Sequence, residues 1–303
     1  MRALLRCALL TLCLYSTPAA ADAPALAPVT LRNAGELSLT TPDGKDYRLF
    51  ISIPTEAPPP EGWPVIYVLD GNAWFPQFSA QAIMMGRRPD HNGLLPAIIV
   101  GIGYPGDRDF YMDRRVPDFT PNAPEREAPT EGWEAPGGAD RFLDFIESRV
   151  KPLVLGNYKA NPRNQSIFGH SLGGLLVLHA YFTRPNAYAN YAAVSSSIWW
   201  NREYIREEEA RFVSTLAKAP PSGRLILAVG AAELPDMVQG SEDMATRLSP
   251  LAAKGLKFDF LKIEGEDHIT VPLPAFTRLI RSTLQASAID REHYRKLQEA
   301  PAQ

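Results

Sequence analysis

Gly169-His170-Ser171-Leu172-Gly173 is the stretch of this chain whose residue types and spacing most directly suggest chemistry. This motif, a serine spaced between two glycines, lies directly after the apolar Ile167-Phe168 and directly before the small Gly174 and the apolar Leu175. That is the pattern of a strand, a sharp turn and a helix start. On such a turn Ser171 is held out over a sheet as a nucleophile, and the helix N-terminus favours developing negative charge. Gly169 and Gly173 leave room for neighbouring backbone, and the amide of Leu172 is positioned as one oxyanion donor.

A serine hydroxyl needs an adjacent base to take its proton as it attacks. The chain has five histidines. His170 is inside the turn and His179 in the helix after it, where neither approaches the hydroxyl from the other side. His293 lies in a charged tail, and His91 precedes a strand in the N-terminal half. His268 remains, in the loop Glu264-Gly265-Glu266-Asp267-His268 after the last strand, which satisfies the chain order serine, acid, histidine. The acid is expected after the preceding strand, in Gly230 to Asp236, with Glu233 ahead of Asp236; it orients the imidazole and stabilises its charged form. The second oxyanion donor is expected from the loop Asp70-Gly71-Asn72-Ala73-Trp74, as a backbone N–H of Gly71 or Asn72.

The elements that must position these groups read as an α/β alternation. Apolar, β-rich runs lie at Tyr47 to Ile53, Val65 to Leu69, Ala97 to Ile102, Ser166 to Phe168, Tyr191 to Ser195, Leu225 to Val229 and Phe258 to Ile263. Helical patterns lie at Asp140 to Val150, Leu172 to Thr183, Arg202 to Leu216, Glu242 to Ala253 and Pro274 to Leu284, with a charged C-terminal helix from Ala288. The alternation implies crossovers and a mostly parallel sheet, and continuously apolar strands imply helices on both of its faces. Tyr104 to Gly138, rich in Pro, Gly, Asp and Arg, is too long for a passive connection and is expected to be an irregular, lid-like insertion. Pro54 to Pro64 is expected to be an exposed hairpin connection.

Composition bounds the rest. The 303 residues, 45% hydrophobic and 21% charged, suffice for a large core. Met1 to Ala21 is expected to be an export signal, with Arg2 and Arg6 before a short apolar run and Ala19-x-Ala21 as cleavage site, leaving residues 22–303 as one exported domain. Its removal would take the formal charge from −3 to −5 and carry away both cysteines, Cys7 and Cys13. No basic run suggests nucleic acid, no stretch after the leader is long and apolar enough to span a membrane, and no His/Asp/Glu spacing suggests a metal site. Gly101-Ile102-Gly103-Tyr104-Pro105-Gly106 follows a strand but leads into a proline-rich loop rather than a helix, so a dinucleotide site is not expected. No cofactor is implied.

With these residues placed, the chain resembles the siderophore esterase branch of the α/β-hydrolases, in particular periplasmic enzymes that hydrolyse trilactone siderophores such as ferric enterobactin. The resemblance is carried by Tyr67-Val68-Leu69-Asp70-Gly71-Asn72, by Arg114-Arg115-Val116-Pro117-Asp118-Phe119-Thr120-Pro121, by the turn at Ser171, by Ser197-Ile198-Trp199-Trp200 and by Gly265-Glu266-Asp267-His268. It implies hydrolysis of the serine ester bonds of a cyclic tricatecholate. A ferric tris-catecholate is anionic and aromatic, so Arg114 and Arg115 are expected to grip its charge and Trp199 and Trp200 to line its pocket. Some relatives rely on a Ser-His pair without a strong acid, which bears on Glu233. Two other functions stay open: a general carboxylesterase of the esterase D or feruloyl esterase type, and an exported siderophore-binding protein on an inactive hydrolase scaffold. No motif identifies an iron-uptake partner.

Overall fold

A computed structural model describes residues 26–125, 133–216, 218 and 220–299. The expected export signal, both cysteines and residues 126–132 of the expected lid lie outside the described residues. Contacts divide the chain into Met1–Thr30 and Leu31–Gln303. Residues 26–30 of the first unit carry no helix or strand.

The second unit is built on a sheet of eight strands among the described residues: β1 (Ala34–Thr40), β2 (Asp46–Ser52), β3 (Trp63–Leu69), β4 (Ile98–Gly103), β5 (Ala160–His170), β6 (Asn190–Val194), β7 (Arg224–Gly230) and β8 (Lys257–Ile263). Their spatial order is β1-β2-β4-β3-β5-β6-β7-β8. β1, β2 and β4 pair antiparallel, and every pair from β4 to β8 is parallel. Parallel neighbours need crossovers, and helices supply them. In chain order these are α1 (Gly71–Met85), α2 (Pro89–Asn92), α3 (Met112–Phe119), α4 (Ala139–Phe145), which runs through a π-helical turn into α5 (Lys151–Asn157), α6 (Leu172–Thr183), α7 (Trp200–Glu203), α8 (Ile205–Thr215), α9 (Pro235–Leu248), α10 (Pro272–Thr283) and α11 (Ala288–Glu299).

Side chains alternate across each strand, so the apolar runs feed two cores. Val65, Tyr67 and Leu69 join Ile167, Tyr191 and Leu225 beneath α6 and α8. Ile66 and Val68 join Phe168, Ala192 and Ile226 beneath α1 and α10. This two-sided cover is why the central strands read as unbroken apolar stretches.

The chain leaves β3 toward β4 on one side and returns to β5 on the other, so the direction of winding reverses between β3 and β5. The helices that follow these two strands, α1 and α6, lie on opposite faces. Their N-termini open on one crevice at the carboxyl ends of the strands, the position at which open α/β sheets place their ligands.

The structure differs from the sequence reading in several places, the helix expected from Glu242 starting already at Pro235. β1 was not among the expected strands, and its Leu37 and Leu39 pack half-buried against the core while Glu36, Ser38 and Thr40 are exposed. Pro54 to Pro64 is not a hairpin, because β4 lies between β2 and β3. Asp70 to Trp74 is not a loop: Gly71 begins α1, and a Cβ there would lie 2.7 Å from the backbone of Gly101 in β4. Glycine is needed at that point for the helix to lie directly on the strand. Finally, the stretch Tyr104 to Gly138 contains α3, whose Val116 and Phe119 sit in the core.

Candidate active site

Ser171 ends β5 and opens α6 with φ 61° and ψ −120°. For a residue with a side chain this conformation costs about 1–3 kcal/mol and persists only where the surroundings enforce it. They do so here: the Ser171 N–H donates to Val194 O at 3.0 Å, and its carbonyl accepts from the amides of Leu175 at 3.0 Å and Ser197 at 3.1 Å. A Cβ at position 169 would stand 2.1 Å from the Gly173 carbonyl oxygen. Only glycine lets the strand pass so close to the first turn of its own helix.

His268 arrives from the loop after β8 and Glu233 from the loop after β7, two neighbouring strands. His268 Nδ1 lies 2.9 Å from Glu233 Oε2. A carboxylate only accepts, so Nδ1 carries the hydrogen and Nε2 is left with a free lone pair. The other oxygen, Glu233 Oε1, accepts from the Gly230 amide at 2.9 Å and from the Ser195 hydroxyl. The Glu233 side chain is fully buried while that of His268 is 37% exposed. Burial alone would raise the Glu233 carboxyl, but the hydrogen bonds from His268, Ser195 and Gly230 outweigh it and hold it below the usual range. Asp236, the second choice, is exposed in the first turn of α9.

The ring of His268 also packs against His170, the residue before Ser171, with centroids 4.5 Å apart. The expected base and the expected nucleophile are thus brought to the same end of the sheet. Leu172 occupies the first position of α6, while Gly71 and Asn72 occupy the first two of α1. Amides in the first turn of a helix have no acceptor within it, so both helices present free N–H groups toward the crevice. The Asn72 side chain is committed elsewhere, accepting from the Tyr104 amide at 2.8 Å and donating to the Tyr104 carbonyl at 3.0 Å.

The four residues expected to bind substrate divide. Arg115 is a correction: it is buried, and its guanidinium grips both oxygens of Asp70 at 3.0 and 2.9 Å rather than standing free for a ligand. Burial raises the Asp70 carboxyl, and Arg115 opposes that rise. Asp70 Oδ2 lies against Gly173, so this ion pair supports the serine turn from beneath. Arg114 is half-buried over the rings of Tyr47 and Tyr104, 5.0 Å from each centroid, with its guanidinium donating to Asp46 O at 3.1 Å. Trp200 is a second correction, since it belongs to the core. Trp199 is 44% exposed, two residues beyond the Ser197 amide that binds the Ser171 carbonyl.

Sequence reasoning missed Ser195 and Asp70 as parts of the site. Ser195 gave no signal beyond ending an apolar strand, and only the pairing of β6 with β7 brings it to Glu233. It also missed how the Arg114 to Pro121 segment works as an anchor. Asp118 accepts from the Tyr47 hydroxyl at 2.8 Å, while the Thr120 hydroxyl accepts from the Gly137 amide at 3.0 Å and the Thr120 carbonyl from the Ala139 amide at 3.1 Å. These bonds clamp the two ends of the excursion between α3 and α4. Asn201, beside Trp200, donates to Pro124 O at 2.8 Å and so ties the tryptophan segment to the same excursion.

Exposed apolar side chains adjoin the residues of the site: Phe110 meets Trp74 edge-on at 6.0 Å, Leu234 follows Glu233, Ile269 follows His268 and Trp199 lies two residues beyond Ser197. Among the described residues no group of three His, Cys, Asp or Glu side chains is arranged to hold a metal ion, and no helix is long and apolar enough to cross a membrane.

Residues 41–258 match the family model described as putative esterase. The ferri-bacillibactin esterase BesA of Bacillus subtilis is 37% identical over 249 residues, covering 80% of this chain and 86% of that protein. Among solved structures, the BES protein from Bacillus cereus superposes with a TM-score of 0.80 at 36% identity, over 86% of this chain and 99% of the other. Siderophore hydrolase EstA from Aspergillus nidulans superposes with a TM-score of 0.69 at 30% identity, over 85% of this chain and 97% of the other.

Proposed function

The chain belongs to the putative esterase family and is an ester hydrolase of the α/β-hydrolase fold, and from that premise we propose that it cleaves the ester bonds of a trilactone catecholate siderophore of the ferric enterobactin type, releasing its iron.

In this reading Ser171 Oγ attacks an ester carbonyl carbon while His268 Nε2 takes the hydroxyl proton. Glu233 keeps Nδ1 protonated and stabilises the imidazolium that forms. The carbonyl oxygen, now an anion, is met by the amide of Leu172 at the start of α6 and by that of Gly71 or Asn72 at the start of α1. Collapse breaks the carbon–oxygen ester bond, and the imidazolium returns its proton to the departing alkoxide. A water molecule, deprotonated by the same imidazole, then attacks the acyl-serine; collapse frees the carboxylate and restores the serine hydroxyl.

The observation that carries this reading is the bond between His268 Nδ1 and the buried Glu233, made by loops at the same sheet end as the strained Ser171. The substrate class is supported by the named activity of the Bacillus subtilis relative and by the exposed apolar side chains next to Glu233 and His268, which suit catechol rings. Export to the periplasm is part of the proposal and rests on the leader-like Met1 to Ala21. N-terminal sequencing of the protein recovered from periplasm should begin at Asp22.

Mass spectrometry of ferric enterobactin incubated with enzyme tests the reaction directly: linear and shortened products are expected from wild type and none from Ser171→Ala. An overwhelming kcat/KM preference for short p-nitrophenyl esters would instead identify a general carboxylesterase.

A further inference from the structure

His170 is the residue between the glycine and the serine of the turn, and its ring is almost wholly buried, with neither nitrogen hydrogen-bonded. One flank of the ring meets Trp74 edge-on at 5.5 Å, and the other lies against His268 at 4.5 Å, tilted by 47°. Burial first, then the positive charges of His268 and Arg115, push the proton affinity of His170 down to about 3, so the ring is neutral throughout the working range. A neutral imidazole still carries one N–H, and leaving that donor unsatisfied in an apolar site costs free energy that a phenyl ring of similar shape would not incur. The acceptor within reach is the backbone carbonyl of His268.

We propose that His170 is a positioning residue for the base: its ring packs on the face of His268, and its N–H draws in the His268 carbonyl, latching the loop after β8 onto the serine turn. The need is visible in that loop. Glu264, Gly265, Asp267, Ile269 and Thr270 are all exposed. Outside the loop's own turn, Glu266 is tied through its carbonyl to the Ala232 amide at 2.9 Å. Glu233 fixes only the Nδ1 edge of the imidazole, about which the ring still swings. Contact with His170 on the ring face removes that freedom and keeps Nε2 aimed at the neighbouring residue, Ser171. The neutrality of His170 matters here, because a charged ring would oppose the imidazolium formed on His268 during attack.

This role rests on reading Ser171 and His268 as nucleophile and base, which Ser171→Ala tests separately. The informative variant is His170→Phe, which keeps the aromatic contacts and removes the N–H. With a short p-nitrophenyl ester we expect kcat to fall about tenfold with KM nearly unchanged, since a small misplacement of a reacting group costs this much or more. The rate of covalent labelling by a fluorophosphonate should fall in parallel. The melting temperature should stay close to that of wild type, because the packing of the ring against Trp74 and His268 is kept. His170→Asn and His170→Gln place an amide N–H near one or other ring nitrogen, and at least one should recover most of the lost kcat. Wild-type kcat in His170→Phe would overturn the proposal. So would a loss of activity that tracks a lowered melting temperature and that neither amide variant repairs.

Discussion

Glu233 and His268 meet at 2.9 Å from the loops of adjacent parallel strands, and the second oxygen of the same carboxylate is held by Ser195 and the Gly230 amide. The carboxylate is therefore fixed at both ends, and a single bond anchors the Nδ1 edge of the imidazole to it.

Replacing Glu233 by Gln should leave the fold intact and lower kcat/KM by about 10²–10⁴, because an amide can present its N–H to Nδ1 and favour the wrong tautomer. Ser195→Ala removes one of the bonds that hold the carboxylate and should cost about tenfold, with no change in substrate range. Steady-state kinetics on a short ester separates the two. Equal and negligible effects would mean that the serine and histidine act without the acid.

The Asp70–Arg115 pair makes a different prediction. Removing one partner strands a buried charge, so Arg115→Met should destabilise by about 3–5 kcal/mol, read as a fall in the urea midpoint. Joining it with Asp70→Leu should recover most of the loss, since paired buried charges exchange for apolar groups at little net cost. Arg114→Ala, which lies half-buried over two rings, should cost about 1 kcal/mol.

His179 lies far along α6 from the serine, and its two nitrogens meet Glu208 at 2.8 Å and Asp140 at 3.3 Å. Burial would lower its proton affinity, but the two carboxylates outweigh that and raise it from 6.5 to about 9. A group whose affinity is raised on folding stabilises in full below its unfolded value and loses that contribution as pH climbs through the folded one. The contribution, roughly 3 kcal/mol, should therefore be present at pH 6 and largely gone by pH 10. Urea midpoints measured across that range should decline in wild type and stay flatter in His179→Gln.

The two tryptophans should also separate. Trp200→Ala opens a cavity in the core and should destabilise by about 3–5 kcal/mol. Trp199→Ala should leave the melting temperature unchanged and raise KM for an aryl-bearing ester about threefold to tenfold, while a short aliphatic ester is unaffected.

The turn at Ser171 and the neighbouring loops that carry Glu233 and His268 were legible in the sequence because each rests on short-range information. Glycines flanking Ser171 report a close backbone approach within a few residues, and the order of loops after β5, β7 and β8 follows from counting apolar strands. β1 escaped notice because its alternation is confined to Leu37 and Leu39 among Glu36, Ser38 and Thr40, a short half-buried edge signal unlike the unbroken apolar runs of the central strands. The helix in the excursion escaped because its Pro117 and charged residues mask a buried side made by Arg115, Val116 and Phe119.

Arg114, Arg115, Trp199 and Trp200 mark the boundary between the two kinds of knowledge. Residue type alone determined that these positions carry charge and aromatic surface, and neighbouring motifs put them near the crevice. Whether each faces the crevice or the interior depended on partners distant in the chain: Asp70 draws Arg115 inward, Tyr47 and Tyr104 hold Arg114, and the main core takes Trp200 while Trp199 stays exposed. Such outcomes are set by which surfaces the folded sheet and its helices bring together, and no local spacing encodes them.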